Sequence, residues 1–237
     1  KQLVAWDPVY QEIVAMYRFL YGEEAVQAGN LSVLRTASLF RFSDRFRESF
    51  LPYSVELGRS VVNRDAKRAI LGLFVVWAGL GAMVRECPAI RYFFGNVSLY
   101  ADQPTDIADL ILAYLYERFP GEPGLIQAQP NLAYRSPATE EYRRDLFRDV
   151  SAREATDTLS LQLKERQSAI PPILLSYMKA TEQLAAFDTA RDSDFGGALE
   201  CAIWVPTRHL TGKTMKRFVD SHQPGNSRAL QRLMDID

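Results

Sequence analysis

Residues 69–84 form an unbroken apolar run, AILGLFVVWAGLGAMV, bounded by Arg68 and Arg85. Such a run must be shielded from water, and it is too long for a single strand. A membrane-spanning helix needs roughly 18–20 apolar residues, slightly more than this run supplies, and three glycines interrupt it. The expectation is a helix buried on both sides within an α/β domain, either as core or as the wall of an apolar channel. That helix reads as 65–86, stopped by Pro88.

The flanking segments have the texture of strands. Residues 2–6 and 12–21 read as two strands joined by a turn at Asp7-Pro8, and the second is rich in β-branched and aromatic residues. Pro52 introduces a further strand over 53–62, and 92–99 is another. Residues 106–119 read as a helix capped by Thr105, whose hydroxyl can accept an otherwise unpaired N–H. Strand, helix, strand, helix in this order builds a βαβα unit around parallel strands. Residues 33–42 fit strand or helix equally, and 120–137 is a Pro/Gly-bearing excursion. Beyond it, 139–164 is charged and helical, 173–184 is a helix started by Pro171-Pro172, and 201–206 is a short final strand. The expected organisation is one α/β (α+β) domain over 1–206, with 139–200 a mainly helical part packed on the same sheet. Residues 207–237 are expected to be a polar C-terminal tail.

The 28 Lys and Arg nearly balance 29 Asp and Glu, so no global charge directs the chain to nucleic acid or to an anionic surface. Cys87 and Cys201 stand far apart with no metal-ligand spacing, which argues against both a disulfide scaffold and a metal site. They read as small buried apolar residues, and a reducing, cytoplasmic setting fits them. Two glycosylation-like triplets, at Asn30 and Asn96, read as chance matches. The chain begins at Lys1, so an N-terminal targeting segment would not be visible.

Chemistry is most legible in Tyr53-Ser-Val-Glu-Leu-Gly-Arg-Ser-Val-Val62. Charges inside an apolar strand are costly unless paired or functional. Glu56 and Arg59 would point to opposite faces of a regular strand. A bulge at Gly58 would let them converge and would turn backbone N–H groups towards a ligand. Two readings stand: a catalytic or binding site, or a plain structural ion pair.

Several segments carry a family resemblance. Glu56-Leu-Gly-Arg-Ser60 resembles the E-L-G-R motif of the ornithine- and glycine-lipid N-acyltransferases often labelled hemolysins, and is similar to the E-L-S-R segment of acyl-homoserine-lactone synthases. Ile13-Val-Ala-Met-Tyr-Arg18 resembles the strand that precedes the motif in that family. Trp77-Ala-Gly-Leu80 resembles its helix, and Tyr92-Phe-Phe-Gly-Asn-Val-Ser-Leu99 its G-x-V-S strand. Pro171-Pro172 and Asp194-Phe195 are similar to its C-terminal pattern. The resemblance spans about residues 1–205 and implies a GNAT-like mixed sheet flanked by helices, with N-terminal elements missing and a helical C-terminal extension. One departure matters. The glycine-rich pyrophosphate loop of acetyl-transferring GNAT enzymes is replaced by Asn63-Arg-Asp-Ala-Lys-Arg68.

The resemblance implies transfer of a long, 3-hydroxylated acyl chain from a thioester to the α-amine of an amino acid, giving a lyso-aminolipid. The donor is acyl-carrier protein or acyl-CoA, used as a co-substrate with no tightly bound cofactor. Glu56 would take the amine proton, Arg59 would hold the acceptor carboxylate or Glu56 itself, and a backbone N–H near Gly58 would stabilise the oxyanion. Arg18 would assist acceptor binding, while Asn96 and Ser98 would line the pantetheine slot. Arg64, Lys67 and Arg68 at a helix start would hold the donor phosphate, or form a solvated basic turn. Phe74, Trp77, Leu80, Phe93 and Val97 would line an acyl tunnel, or simply form core. The run from Arg143 to Arg148 is a solvated helix face or a contact for an acidic carrier protein. Peripheral contact with the inner membrane also fits such a product. The rival readings are a synthase of a diffusible N-acyl amino-acid signal and a non-catalytic acyl-binding or lytic protein. Only His209 and His222 are available as histidines, and Ser60 lacks the Gly-bounded elbow of a serine hydrolase.

Overall fold

The computed structural model describes residues 1–100 and 104–223, so the part of the expected tail from 224 onward lies outside the described residues. Among the described residues there are eight strands: β1 (Gln2–Asp7), β2 (Glu12–Tyr21), β3 (Phe40–Phe42), β4 (Ser54–Val62), β5 (Tyr92–Leu99), β6 (Ile126–Ala128), β7 (Ala185–Asp192) and β8 (Ala198–Pro206). Six of them form one sheet in the order β1-β2-β4-β5-β8-β7, and β3 pairs with β6 in a small second sheet. The helices are α1 (Gly22–Gln27), α2 (Gly72–Glu86), α3 (Thr105–Arg118), α4 (Pro137–Tyr142), α5 (Ala152–Glu165), α6 (Pro172–Ala180) and α7 (Gly212–Thr214). The last continues as a π-turn, Met215–Val219.

Local chemistry accounts for the opening hairpin. Asp7 Oδ1 accepts hydrogen bonds from the Val9 and Tyr10 N–H groups at 2.8 and 3.3 Å, and Gln11 takes a left-handed conformation at φ 54°. The expected parallel pairing is confined to β4 and β5, which α2 connects; every other strand pair in the large sheet is antiparallel. β7 and β6 escaped the sequence reading, and β8 begins three residues before the expected 201.

The helix expected over 65–86 begins at Gly72, after a 3-10 turn at Ala69–Leu71. Asn63 Oδ1 accepts the Asp65 N–H at 3.1 Å, and Glu12 Oε1 accepts the Lys67 N–H at 2.7 Å. These side chains satisfy donors that would otherwise favour helix. α2 is also not buried on both sides. It lays Val76, Trp77, Leu80 and Met83 on the sheet, while Ile70, Leu71, Phe74 and Val75 face outward, Ile70 being 92% exposed. The span Ala69–Glu86 is long and apolar enough by composition to cross a membrane, yet it packs here against β1 and β2.

The single charged helix expected over 139–164 is broken. Asp149 is left-handed at φ 61°, and Ser151 restarts the chain as α5 by accepting the Glu154 N–H. α6 ends at Ala180 because Thr181 is extended and its hydroxyl donates to the His209 carbonyl at 2.7 Å. Nor is the described part of the expected tail detached. Val219 is buried, and Phe218 packs against the core beside α2.

Two apolar cores flank the sheet. Val55, Leu57, Phe93, Val97 and Val205 face α2, α3, α5 and α6. On the other face, Phe94, Phe187, Ala190 and Ala202 meet Leu34, Leu39, Phe40, Phe46 and Leu51 from the 31–51 turns.

Candidate active site

The centre of the sheet contains a fissure. β4 and β5 are paired only from Ser54↔Tyr92 to Leu57↔Gly95. Beyond that rung β4 follows β2 as far as Val62, whereas β5 stays with β8 as far as Leu99. Gly95 marks the last rung. A Cβ there would sit 2.2 Å from the Leu57 carbonyl oxygen, so only glycine lets the strands approach this closely.

The expected bulge is present, and Arg59 is its extra residue. Tyr17 pairs with Ser60 and Arg18 with Gly58, leaving Arg59 unpaired at φ 55°. Gly58 itself has open space where a side chain would project. Arg59 is exposed, and its guanidinium lies 5.1 Å from the centre of the Phe195 ring. It therefore reaches from β4 across the fissure to the turn between β7 and β8.

Glu56 does not pair with Arg59. It is 2% exposed, and its carboxylate meets the turn of residues 35–38. Oε1 accepts the Thr36 N–H at 2.8 Å and the Thr36 hydroxyl at 2.6 Å; Oε2 accepts the Arg35 N–H at 3.1 Å. Three donors compensate the burial of this carboxylate. Oε2 accepts only one of them and keeps a lone pair for a proton or a water. Arg18 is two residues from Leu20, the cross-strand partner of Glu56, and so lies on the same face of the sheet.

Asn96 and Ser98 lie on the fissure strand, on the face that carries Phe94. Both donate to one carboxylate that sequence reasoning passed over. Glu200 on β8 is 2% exposed. It accepts from Ser98 Oγ at 2.9 and 3.0 Å and from Asn96 Nδ2. Burial pushes its carboxyl above the ordinary carboxylate range; the Ser98 and Asn96 bonds oppose this, the charge of Asp192 reinforces it, and that of Arg35 opposes it. Arg35 donates to Asp192, also buried, at 2.5 Å. One loop residue thus links the Glu56 strand, by its backbone, to the β7 carboxylate, by its side chain. The same rule that flagged Glu56, an acid inside an apolar strand, applies to Ala198-Leu-Glu-Cys-Ala-Ile-Trp-Val-Pro206.

The basic residues are not gathered at a helix start. Arg68 faces Asp7 at 3.3 Å and lies 5.3 Å from the centre of the Tyr10 ring, held by the opening hairpin. Arg64 and Lys67 are exposed in the turn ahead of α2.

Of the five acyl-pocket residues, Trp77, Leu80, Phe93 and Val97 are buried in the helix-covered core, while Phe74 is 40% exposed and stacks near Phe218. A narrow seam of about 10 Å³ between Leu57, Gly95, Asn96 and Tyr177 adjoins the fissure. Behind it the hydroxyls of Tyr17 and Tyr177 meet. Burial raises both, that of Tyr177 to about 12 against the opposing bond from Tyr17. Burial likewise pushes the Cys201 thiol up to about 12, which removes it as a nucleophile near neutral pH. Among the described residues no group of His, Cys, Asp and Glu could hold a metal ion.

A sheet split between parallel neighbours, with a bulge on one lip and a buried acid beside it, is suited to acyl transfer. An extended thioester can enter between the strands, and an amine can approach the acidic face. An acetyltransferase (GNAT) domain matches residues 1–77. A glycine N(alpha)-acyltransferase of Bacteroides thetaiotaomicron is 29% identical over 94% of this chain and 68% of its own length. One of Phocaeicola vulgatus is 31% identical over 93% of this chain and 69% of its own length. No solved structure matches. GNAT acyltransferases use acyl-CoA as co-substrate and need no tightly bound cofactor. The mixed α/β fold, the fissure and these relatives agree: this chain is an N-acyltransferase with a GNAT domain and belongs to the same family as these two enzymes.

Proposed function

We propose that the chain moves a long-chain acyl group from a thioester to the α-amine of a small amino acid, glycine first among them, to give a lyso-aminolipid. The observation that carries this reading is the pair of buried carboxylates, Glu56 and Glu200, on either side of the fissure, neither of which makes an ion pair among the described residues. Such a pair attracts an ammonium group and can accept its proton. The names of the two relatives support glycine as the acceptor.

In this reading Oε2 of Glu56 receives the amine proton directly or through one water. The amine then attacks the thioester carbon, and the backbone at Gly58 offers an N–H to the oxyanion. The nitrogen passes its remaining extra proton to the departing sulfur as the C–S bond breaks, and the thiol leaves along β5, past Asn96 and Ser98. Arg59 and Arg18 bracket the bulge, where the acceptor carboxylate needs a cation. Arg64 and Lys67 are exposed for a donor phosphate or an acidic carrier protein. Trp77, Leu80, Phe93 and Val97 form the apolar wall along which an acyl chain would run, each buried methylene contributing about 0.8 kcal/mol. We place the reaction in the cytoplasm, at the membrane surface.

Incubating the purified chain with acetyl-CoA, palmitoyl-CoA or 3-hydroxypalmitoyl carrier protein and glycine, ornithine or serine, followed by mass spectrometry, tests the reading. N-acylglycine is the expected main product. No amide from any pairing would sink the proposal, and an amide formed only from acetyl-CoA would remove its long-chain part.

A further inference from the structure

A groove of about 580 Å³ opens between α6 and the C-terminal helical segment 212–219, on the face of the sheet opposite Glu56. Trp77 and Phe218 line it, their rings tilted and 5.9 Å apart. Lys179, Lys213 and Arg217 also line it, and no carboxylate does. Among the described residues none of the three cations makes an ion pair. Arg217 stacks over Phe74 at 4.7 Å and Phe218 at 5.4 Å, a contact that leaves the in-plane edge of its guanidinium available. Trp77 is 8% exposed, and its indole N–H is buried with no hydrogen-bond partner.

The apolar side of the groove continues inward. Trp77, Phe218 and Thr214 also line a seam of about 10 Å³ that runs to Phe93, Tyr177 and Val205. Those three residues in turn line the seam at the fissure. The sequence therefore places cations at the mouth and hydrocarbon behind them. Gly81 makes this possible. A Cβ there would meet the Phe218 carbonyl oxygen at 2.0 Å, so glycine lets the C-terminal segment seat directly on α2 and bring Phe218 and Arg217 to the groove.

We infer that this groove binds an anionic long-chain amphiphile, its carboxylate held by Lys179, Lys213 and Arg217 and its chain laid over Trp77 and Phe218 towards the seam. A free fatty acid and an N-acyl amino acid share that chemistry. A binding measurement needs no turnover, so its failure leaves the acyl-transfer reading untouched.

The test is quenching of tryptophan fluorescence in the whole chain by 9,10-dibromostearate below its micelle concentration. Saturable micromolar quenching is expected, at least about tenfold weaker in a Lys179→Glu, Lys213→Glu variant, because a carboxylate facing reversed charges loses its attraction. Oleate and N-oleoylglycine should both displace the probe, and the tighter of the two identifies the source of the ligand. Oleyl alcohol and inorganic phosphate should not displace it. Trp77→Phe should lose most of the quenching although Trp6 and Trp204 remain. Unchanged affinity in the charge-reversed variant, with its melting temperature intact, would overturn the inference. So would displacement by oleyl alcohol as strong as by oleate, or quenching that survives Trp77→Phe.

Discussion

The two faces of the six-stranded sheet are closed by different materials. One is covered by α2, α3, α5 and α6 and is filled with side chains such as Leu110, Ile111, Leu159 and Leu174. The other is covered by the turns of 31–51 and the small β3-β6 sheet, and it carries the buried acids Glu56, Asp192 and Glu200. Helices have already spent their backbone N–H groups internally, so a carboxylate under them must find side-chain donors, as Asp109 of α3 does from the hydroxyls of Tyr134, Ser136 and Thr139. Turns still have N–H groups to give, as Arg35 and Thr36 give theirs to Glu56. Chemistry therefore sits under the loops, and hydrocarbon under the helices.

The largest expected effect falls on the loop-covered face. Glu56→Gln should lower turnover by roughly 100-fold or more. It should also cost about 1–3 kcal/mol of stability, because one amide N–H₂ then confronts the Arg35 or Thr36 donors. Single-turnover rates and urea midpoints measured on the same preparation separate the two effects. A folded variant with unchanged rate would take Glu56 out of the mechanism and make its face merely structural.

Gly95→Ala should come next, at roughly 2 kcal/mol or more, because its Cβ would collide with backbone rather than with a movable side chain. Gly58→Ala, one residue beyond the cross-strand partner of Gly95 and with nothing near it, should change stability by less than about 1 kcal/mol and should keep its N–H. Thermal melts of the two variants check this contrast. Equal losses would mean that the close approach of β4 and β5 does not depend on Gly95.

Glu200→Gln should have the smallest effect on stability, and that effect should depend on pH. Burial raises the folded-state pKa of Glu200 above its ordinary 4.5. The stability linked to its protonated form is present below that ordinary value and is lost as pH rises through the folded value. The variant cannot ionise, so it should match the wild type at acid pH and gain on it as the wild-type side chain titrates. Denaturant midpoints across that range read the difference. A gap that stays constant with pH would show that Glu200 keeps an unshifted pKa.

Much of this was legible in the chain. The hairpin, the β4–α2–β5 unit and the bulge beside Gly58 follow from β-branched runs, punctuating Pro and Gly, and an acid in an apolar strand. β7 was not, because Ala-Ala-Phe-Asp-Thr-Ala-Arg-Asp offers one β-branched residue and no clean alternation. Glu200 was lost because its strand was expected to start at 201, one residue past it. The partners of Glu56 lie 20 and 21 residues away in a turn with no strong signature, and no periodicity reports such a contact. Phe218 was hidden among Lys213, Lys216 and Arg217, and only Gly81, on a distant helix, explains why that segment docks.

The parted strands also divide the chain in order. β1, β2 and β4 come from residues 2–62, and β5, β8 and β7 from residues 92–206, so the polypeptide passes from one half of the sheet to the other once, through α2. The matched acetyltransferase domain, residues 1–77, covers the first half and the opening of that passage. Mechanically the sheet is two plates joined by the four rungs from Ser54↔Tyr92 to Leu57↔Gly95. A rotation about those rungs would widen the fissure without unzipping an antiparallel pair of the large sheet. The turn at residues 87–91 is accordingly the place where the backbone could be cut and the two plates asked to reassemble from separate chains.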